Sequence, residues 1–466
     1  MNWHALAKLR YSQCSRLLVL LVAGLSVLPG LRQVAAQEKP AGARVVIVEQ
    51  PGTCRAPVRK PAYFQPQPEA VHQLLEEGLR RWTGATNSRA AWRQLVSTND
   101  VIGIKIAAEA GPIIGTRPAV VRAVVNGLLA AGIPARQIIL WDRHDDPLHA
   151  GGYFQLAKEL GVGIESAARA GYEPQLFHDE AVFGLLDRGD LDFGKQEGSR
   201  HSHVTKLVTR RLDKIIQISS LLQHPVAGVE GNLYGLAMGG ADNTRRFQGL
   251  RPFLHNVVPN LYRLTAHRGV IMDRGFDTAL AKATKVGGGS LQGLVPPGVN
   301  AQHLFFYEPH DAEKPLPPLQ ALQLALAGAA RPPPGPAKVI ITDKAETQTW
   351  EQTIHPSGLV EYSASASRVC LHIVDALLCQ YVGGEELRLQ YSTVLNQLRL
   401  GTDPVALDVL SLQDIERQTM AAQLRPVAES LQLLRHAALL GEGVADEKLI
   451  RVERHRLPPF APAKTP

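Results

Sequence analysis

Cysteine is scarce in this 466-residue chain, with four in all, at positions 14, 54, 370 and 379. No two are spaced as a paired zinc-binding motif, which excludes a zinc site of the finger or ribbon kind. His-Glu-x-x-His is also missing, the pattern that sets two zinc ligands and a base on one helix face. So is Gly-x-Ser-x-Gly, the turn that exposes a hydrolase nucleophile. A glycine run at residues 286–290, "VGGGS", lacks the Lys–Ser/Thr ending of a phosphate-cradling loop and reads as a flexible turn. There is no polybasic cluster, so no nucleic-acid partner is expected. No internal repeat is present.

What the N-terminus does hold is Lys8, Arg10 and Arg16 without an acid, then an apolar stretch over residues 17–31, then "VAAQ" with small Val34 and Ala36. This is the three-part pattern of an export signal, and residues 1–36 are expected to be a signal peptide. The apolar stretch is interrupted by Gly24, Ser26, Pro29 and Gly30, and it is short for a membrane span, which needs roughly 20 residues. A periplasmic or secreted protein with no stable span after cleavage is expected, an uncleaved anchor being the alternative. Residues 1–36 hold four of the 50 Lys and Arg, so the remainder carries 46 basic against 43 acidic residues, a formal +3. The basicity is largely the signal. Three cysteines would remain, so at most one pair can form. Cys370 and Cys379 read either as that pair or as buried small apolar residues.

The rest alternates between β-rich runs and helical periodicity. "RVVIV" at residues 44–48 predicts a strand, and Val71, Leu74, Leu75, Leu79 and Trp82 predict a helix. "SRAAWRQLV" follows as a second short helix. "VIGIKI" at 101–106 predicts a strand, then Val120, Val121, Val124, Val125, Leu128 and Leu129 a helix. Thr116 would cap that helix, Pro118 fits its first turn and Gly132 its stop. "QIILW" completes a βαβ unit with parallel strands. "KIIQI" (214–218), "KVIIT" (338–342), "RVCLHIV" (368–374) and "QLRL" predict further strands. The expectation is an α/β domain over residues 45–455, with a mostly parallel sheet and flanking helices. A Pro-rich connector or insertion is expected near 314–336, and a tail without structure over 456–466.

In such a sheet the crevice beyond the strands' carboxyl ends is the ligand site. Lys105, Thr116, Asp142, Asp375 and Asp403 all follow or close a predicted strand. Asp403 before Pro404 also reads as a helix cap, and Asp408 as a first-turn acid favoured by the helix dipole. Lys105 inside "IGIKI" must snorkel or find a partner, because an unpaired buried ammonium is costly. In "LWDRHDDPLH" (140–149) the first acid points to a pocket, whereas His144, Asp145, Asp146 and His149 read as a solvated turn. His201 and His203 form a His-x-His pair whose rings would share one strand face.

"NDVIGIKI", "TRPAVVRAVVNGLLAAGIPARQIILWDR", "HPVAGV", "DNTRRF", "LHIVDALLCQYVGG" and "LGTDPVALDVL" fall in an order that resembles the domain of unknown function 362 family, in its exported bacterial branch. The likeness runs from about residue 45 to 452. It implies an α/β domain with recurrent polar positions at Lys105, Thr116, Asp142, Arg143, His224, Asn243, Arg246, Asp375, Asp403 and Asp408. Some relatives add a ferredoxin-type domain, but this chain lacks the cysteines, so no iron–sulfur cluster is expected. Two positions that are lysine in relatives differ here: Leu222 stands before Gln223 and His224, and "GVEGNLYG" brings Glu230, Tyr234 and Gly235. Arg245 and Arg246 would compensate only by pointing the same way. The expected function is binding of a small ligand, an anion or a metal at the strand ends, without required turnover. Thr116, Asn243, Arg246 and Asp403 would be ligand-binding residues. The alternative is an extracytoplasmic metal-assisted enzyme, with Lys105 and His224 as acid and base and Asp142, Asp375 and Asp408 holding a divalent metal.

Overall fold

β-branched and leucine-rich runs bounded by turns build a nine-stranded sheet in the computed structural model. The structure describes residues 42–55, 64–179, 201–247, 251–267, 304–307, 337–343, 349–354, 360–361, 367–427 and 430–461. The predicted signal, the 286–290 turn and the Pro-rich stretch at 314–336 lie outside them.

The sheet strands are β1 (Ala43–Glu49), β2 (Ile102–Ile106), β3 (Ile138–Asp142), β4 (Gly163–Ser166), β5 (Lys214–His224), β6 (Gly228–Val229), β7 (Val369–Gln380), β8 (Ser392–Gly401) and β9 (Ile450–Arg456). Their order is β9-β1-β8-β7-β5-β2-β3-β4, with β6 folded back on β5. Seven run one way, while β6 and β8 run the other. The expected α/β architecture is what the chain adopts, including the parallel β2–β3 pair. From β2 the chain winds outward to β3 and β4, then returns to β5 on the other side of β2. The order reverses there, and a crevice opens where loops diverge from neighbouring strands.

Helices cover both faces. On one lie α1 (Pro68–Thr83), α2 (Ser88–Leu95), α3 (Pro118–Ala130) and, after the short α4 (Asp145–Ala150), α5 (Tyr153–Leu160). Their apolar stripes pack on Ile104, Ile106, Leu140, Ile216, Ile218 and Ile373. On the other lie α6 (Asn232–Gly239), α7 (Arg251–Ala266), α8 (Pro404–Ala421) and α9 (Leu431–Leu439), packed on Trp141, Ile215, Leu221 and Val374. Strand residues with alternate side-chain directions feed the two cores, as the period of two requires.

Four expectations change. β7 runs to Gln380 and so encloses Asp375, which was expected just past a strand end. β8 is antiparallel, so Asp403 leaves the sheet at the rim opposite the parallel strands' carboxyl ends. "KVIIT" joins a separate four-stranded sheet, not the main one. The tail expected to lack structure begins as the last residue of β9, and the Leu457 and Phe460 amides donate to Glu49 and Pro51 at 2.8 Å each.

Candidate functional site

Lys105 lies on β2, next to Trp141 of β3 in register, with its side chain on the α6 face of the sheet. Only 3% exposed, its ammonium cannot reach bulk water and turns to the strand ends instead. Nζ donates to Asp142 Oδ1 at 2.7 Å and to the Ile106 carbonyl at 2.6 Å, and lies 5.6 Å from the Trp141 ring centroid. Asp142 closes β3. It accepts from the Ala108 amide at 2.7 Å and the Arg143 amide at 2.8 Å as well. A buried pair so furnished with hydrogen bonds is held in one geometry, and losing either partner strands the other. Gly239, the last residue of α6, permits it: a Cβ there would collide with Lys105 Cε.

The pair floors a cavity of about 330 Å³, lined also by Glu109, Arg143, His144, Glu230, Tyr234, Met238, Arg245 and Glu385. Glu230 arrives through the β5–β6 hairpin, which carries the chain back over the strand ends, with its amide bonded to the Leu222 carbonyl at 3.0 Å. The side chain is 7% exposed and its Oε2 has no hydrogen-bond partner. Burial foremost, then the nearby Glu385, pushes its carboxyl up to about 8, against a smaller downward pull from Lys105. Glu109 and Glu385 are raised too, mainly by desolvation and then by Asp142. His144 is lowered by burial and by Arg143 and Arg245.

His224 does not face a reacting group. Its Nδ1 accepts from the Ala227 amide at 2.8 Å and the Val226 amide at 3.2 Å, which fixes the hairpin turn, and its ring lies 4.3 Å from that of Tyr234. Burial lowers it to about 4, so it is neutral near pH 7 with its proton on Nε2. It positions the hairpin that delivers Glu230.

Asp375 pairs with Arg117, whose Nη1 lies 2.7 Å away and whose amide donates at 3.0 Å. The register places His372, Gln217 and Lys105 side by side, three residues before Asp375, so Asp375 points to the opposite face of the sheet from Lys105. Thr116 joins that structural corner. Its hydroxyl donates to the Ile218 carbonyl at 2.6 Å and accepts from the Ala107 amide at 2.8 Å, so it ties two strands and does not cap α3. Asp408 accepts from the Asn232 amide at 2.7 Å, the Asn232 side chain at 2.8 Å and the Leu233 amide at 2.9 Å, which caps α6 from α8. Gly231 turns the chain into that cap at φ 41°, where any Cβ would strike the Asp408 carboxylate. Asp403 caps α8 through the Ala406 amide at 2.8 Å and also takes the Val444 amide at 2.9 Å.

Of the expected metal and catalytic set, then, Lys105 and Asp142 alone come together. Asp142, Asp375 and Asp408 belong to three separate arrangements, and among the described residues no three His, Cys, Asp or Glu side chains group as a metal site. His201 and His203 follow suit: their rings stand edge to face at 5.9 Å, and His203 Nδ1 lies 3.2 Å from Asp242. Asn243 and Arg246 serve a loop. Arg246 Nη2 donates to the Ser202 hydroxyl at 2.9 Å and Nε to the Asn243 carbonyl at 3.0 Å, while Arg245 lines the cavity, so the two arginines diverge. Leu222 sits fully buried with Ala110, Ile114 and Leu378, an apolar setting in which an ammonium would be costly. Of the charges after Asp142, Arg143 and His144 line the cavity, whereas Asp145, Asp146 and His149 lie in α4: Asp145 pairs with Arg169 at 2.6 Å and His149 stacks on Phe154 at 3.7 Å.

No protein-family model and no curated protein matches this chain.

Arg117 and Glu385 had no strand-end signal of their own, whereas Glu109 stands three residues past the predicted strand at 101–106, in the loop at its carboxyl end. Glu230 had a signal of another kind: it is the sole acid between His224 and Asp242, in a mostly apolar, glycine-rich stretch. All three described cysteines are free thiols, and Cys370 and Cys379 lie nine residues apart on β7, roughly 30 Å along a strand and far beyond disulfide reach. Among the described residues no helix is long and apolar enough to cross a membrane.

Proposed function

We propose that this protein binds a small polar ligand in the cavity at the carboxyl ends of β2 and β3, and that binding does not depend on turnover. The observation that carries it is a buried Lys105–Asp142 pair facing a buried Glu230 oxygen without a partner, around one cavity beside the point where strand order reverses. Buried polar atoms are nearly always satisfied, and an exception in a cavity wall is where a ligand group fits. A thermal-shift and calorimetric survey of small amines, carboxylates, inorganic phosphate, sugars and divalent chlorides tests it. At least one compound should bind one to one, and Arg245→Trp on the exposed rim should block it. If no compound binds, or those that bind do so equally well in the blocked variant, the cavity is not a ligand site.

Kinship with the domain of unknown function 362 family belongs to the same proposal. It is supported by the six segments that run in family order: through β2, through α3 and β3, through the β5–β6 hairpin, over residues 242–247 ahead of α7, through β7 and into α8. Export rests on Lys8, Arg10 and Arg16 ahead of the apolar stretch and the "VAAQ" site. N-terminal sequencing of the protein recovered from a periplasmic fraction should begin at Gln37; an intact Met1 in the membrane fraction would refute it.

A further inference from the structure

The cavity lining carries both signs. Glu230 Oε2 and Arg143 Nε, which both line it, are buried without a hydrogen-bond partner. Arg143 and Arg245 both act on His144, and Arg143 also on Glu109 and Glu385. Lys105 and Asp142 neutralise each other on the floor. What is left is a carboxyl oxygen and a guanidinium N–H that lack partners, with Arg245 exposed at the mouth.

We propose that the cavity takes an amino-acid-sized zwitterion, its ammonium seated against Glu230 and its carboxylate turned to Arg143 and Arg245. This rests on the cavity being the ligand site and narrows it to one chemical class. An ammonium brings three donors to carboxyl oxygens, one of them unpartnered, and a carboxylate matches the guanidinium fork. A simple anion would answer Arg143 and Arg245 and leave the Glu230 oxygen without a partner. A divalent metal would need several oxygens converging on one point, and none do so among the described residues. The cavity, about 330 Å³, is at the small end of ligand sites, which run from roughly 300 to 1,000 Å³.

Binding of an ammonium also has a proton consequence. Burial pushes Glu230 up to about 8, so near pH 7 the carboxyl is largely protonated. An arriving ammonium favours the carboxylate, and the proton leaves to solvent: the neutral acid and the cation become an ion pair plus one hydronium. Uptake by the cavity is thus coupled to release of close to one proton at pH 7. The coupling fades above the Glu230 value, where the group is already ionised. The charged groups facing Glu230 are Glu109, Asp142, Glu385 and Lys105, and all remain in place.

The test is titration calorimetry on the full chain with each standard L-amino acid, its N-acetyl form and its amide, and with inorganic phosphate and magnesium chloride as contrasts. Buffers of low and high ionisation heat are compared. One or more free amino acids should bind with proton release at pH 7 that vanishes by pH 9. N-acetylation should weaken binding by about 100-fold and amidation by about tenfold, the range for losing a charge-assisted contact. Glu230→Gln, nearly isosteric, should abolish proton release and cost at least about tenfold in affinity, and Arg245→Ala on the surface about tenfold. Amino acids that bind without proton release, or as tightly to Glu230→Gln, overturn the proposal. So does binding of phosphate or magnesium in the cavity with none of amino acids, which leaves the cavity as a ligand site of another class. Silence from every compound overturns the amino-acid proposal, and silence in the wider survey as well overturns the ligand site itself.

Discussion

Glu230→Gln should stabilise the ligand-free protein, by an amount that grows with pH. The carboxyl is displaced from 4.5 to about 8, chiefly by burial, and is only 7% exposed, so solvent does little to relieve it. Between those values the unfolded chain ionises the group while the folded chain keeps the proton. Unfolding therefore releases a proton, and stability falls as pH rises. At about 1.4 kcal/mol per pH unit, the full penalty is on the order of 5 kcal/mol, approached near pH 8 and constant above it. Gln removes the ionisation and keeps the volume. Urea titrations at pH 5, 7 and 9 should show the variant level with the parent at pH 5 and ahead by several kcal/mol at pH 9. The difference between pH values is the diagnostic, because any misfit of the amide is independent of pH. A gap that stays constant with pH, or a variant weaker at pH 9 than at pH 5 relative to the parent, would refute the placement of an ionisable buried carboxyl at this wall.

Lys105→Met should cost about 3–5 kcal/mol in denaturant titrations, because Asp142 is left buried without its cation, and the double change with Asp142→Asn should recover much of that. Gly239→Ala pushes a methyl into Lys105 and should cost roughly 1–3 kcal/mol with loss of any cavity ligand, read by melting and calorimetry together. His372, fully buried beside the Tyr262 hydroxyl at 3.2 Å, is lowered to about 3 by burial. Its unfolded form takes a proton first, so stability is lost as pH falls from about 6.5 to 3, and His372→Gln should flatten that decline in acid titrations. Cys54 and Cys379, buried with thiols pushed up to about 12, should resist a thiol reagent in the native protein and react on unfolding.

How far a sequence reaches here depends on the range of the forces concerned. The side-chain periods of "VIGIKI" and "QIILW" and of the helix between them are local, and so is Pro118 at a helix start; the parallel β2–β3 pair follows from them. Lys105 was conspicuous because a cation in an apolar strand must find a partner, and Asp142 was a natural candidate at the next strand's end. Asp375 and Asp403 misled for one reason. Their position relative to the crevice depends on where β7 stops and which way β8 runs, and both are decided by pairing with strands far away in the chain.

The residues alone therefore determined the α/β class, the main strands and helices, and the likelihood of a polar group at the β2 and β3 ends, since each follows from hydrophobic periodicity and the cost of burying charge. Only the tertiary structure decided that Asp375 and Asp408 are consumed by Arg117 and the α6 N-terminus, and that Glu230 reaches the cavity by way of a hairpin. Whether a charge is spent or open is a matter of which distant group lies within 3 Å of it, and no local pattern carries that distance.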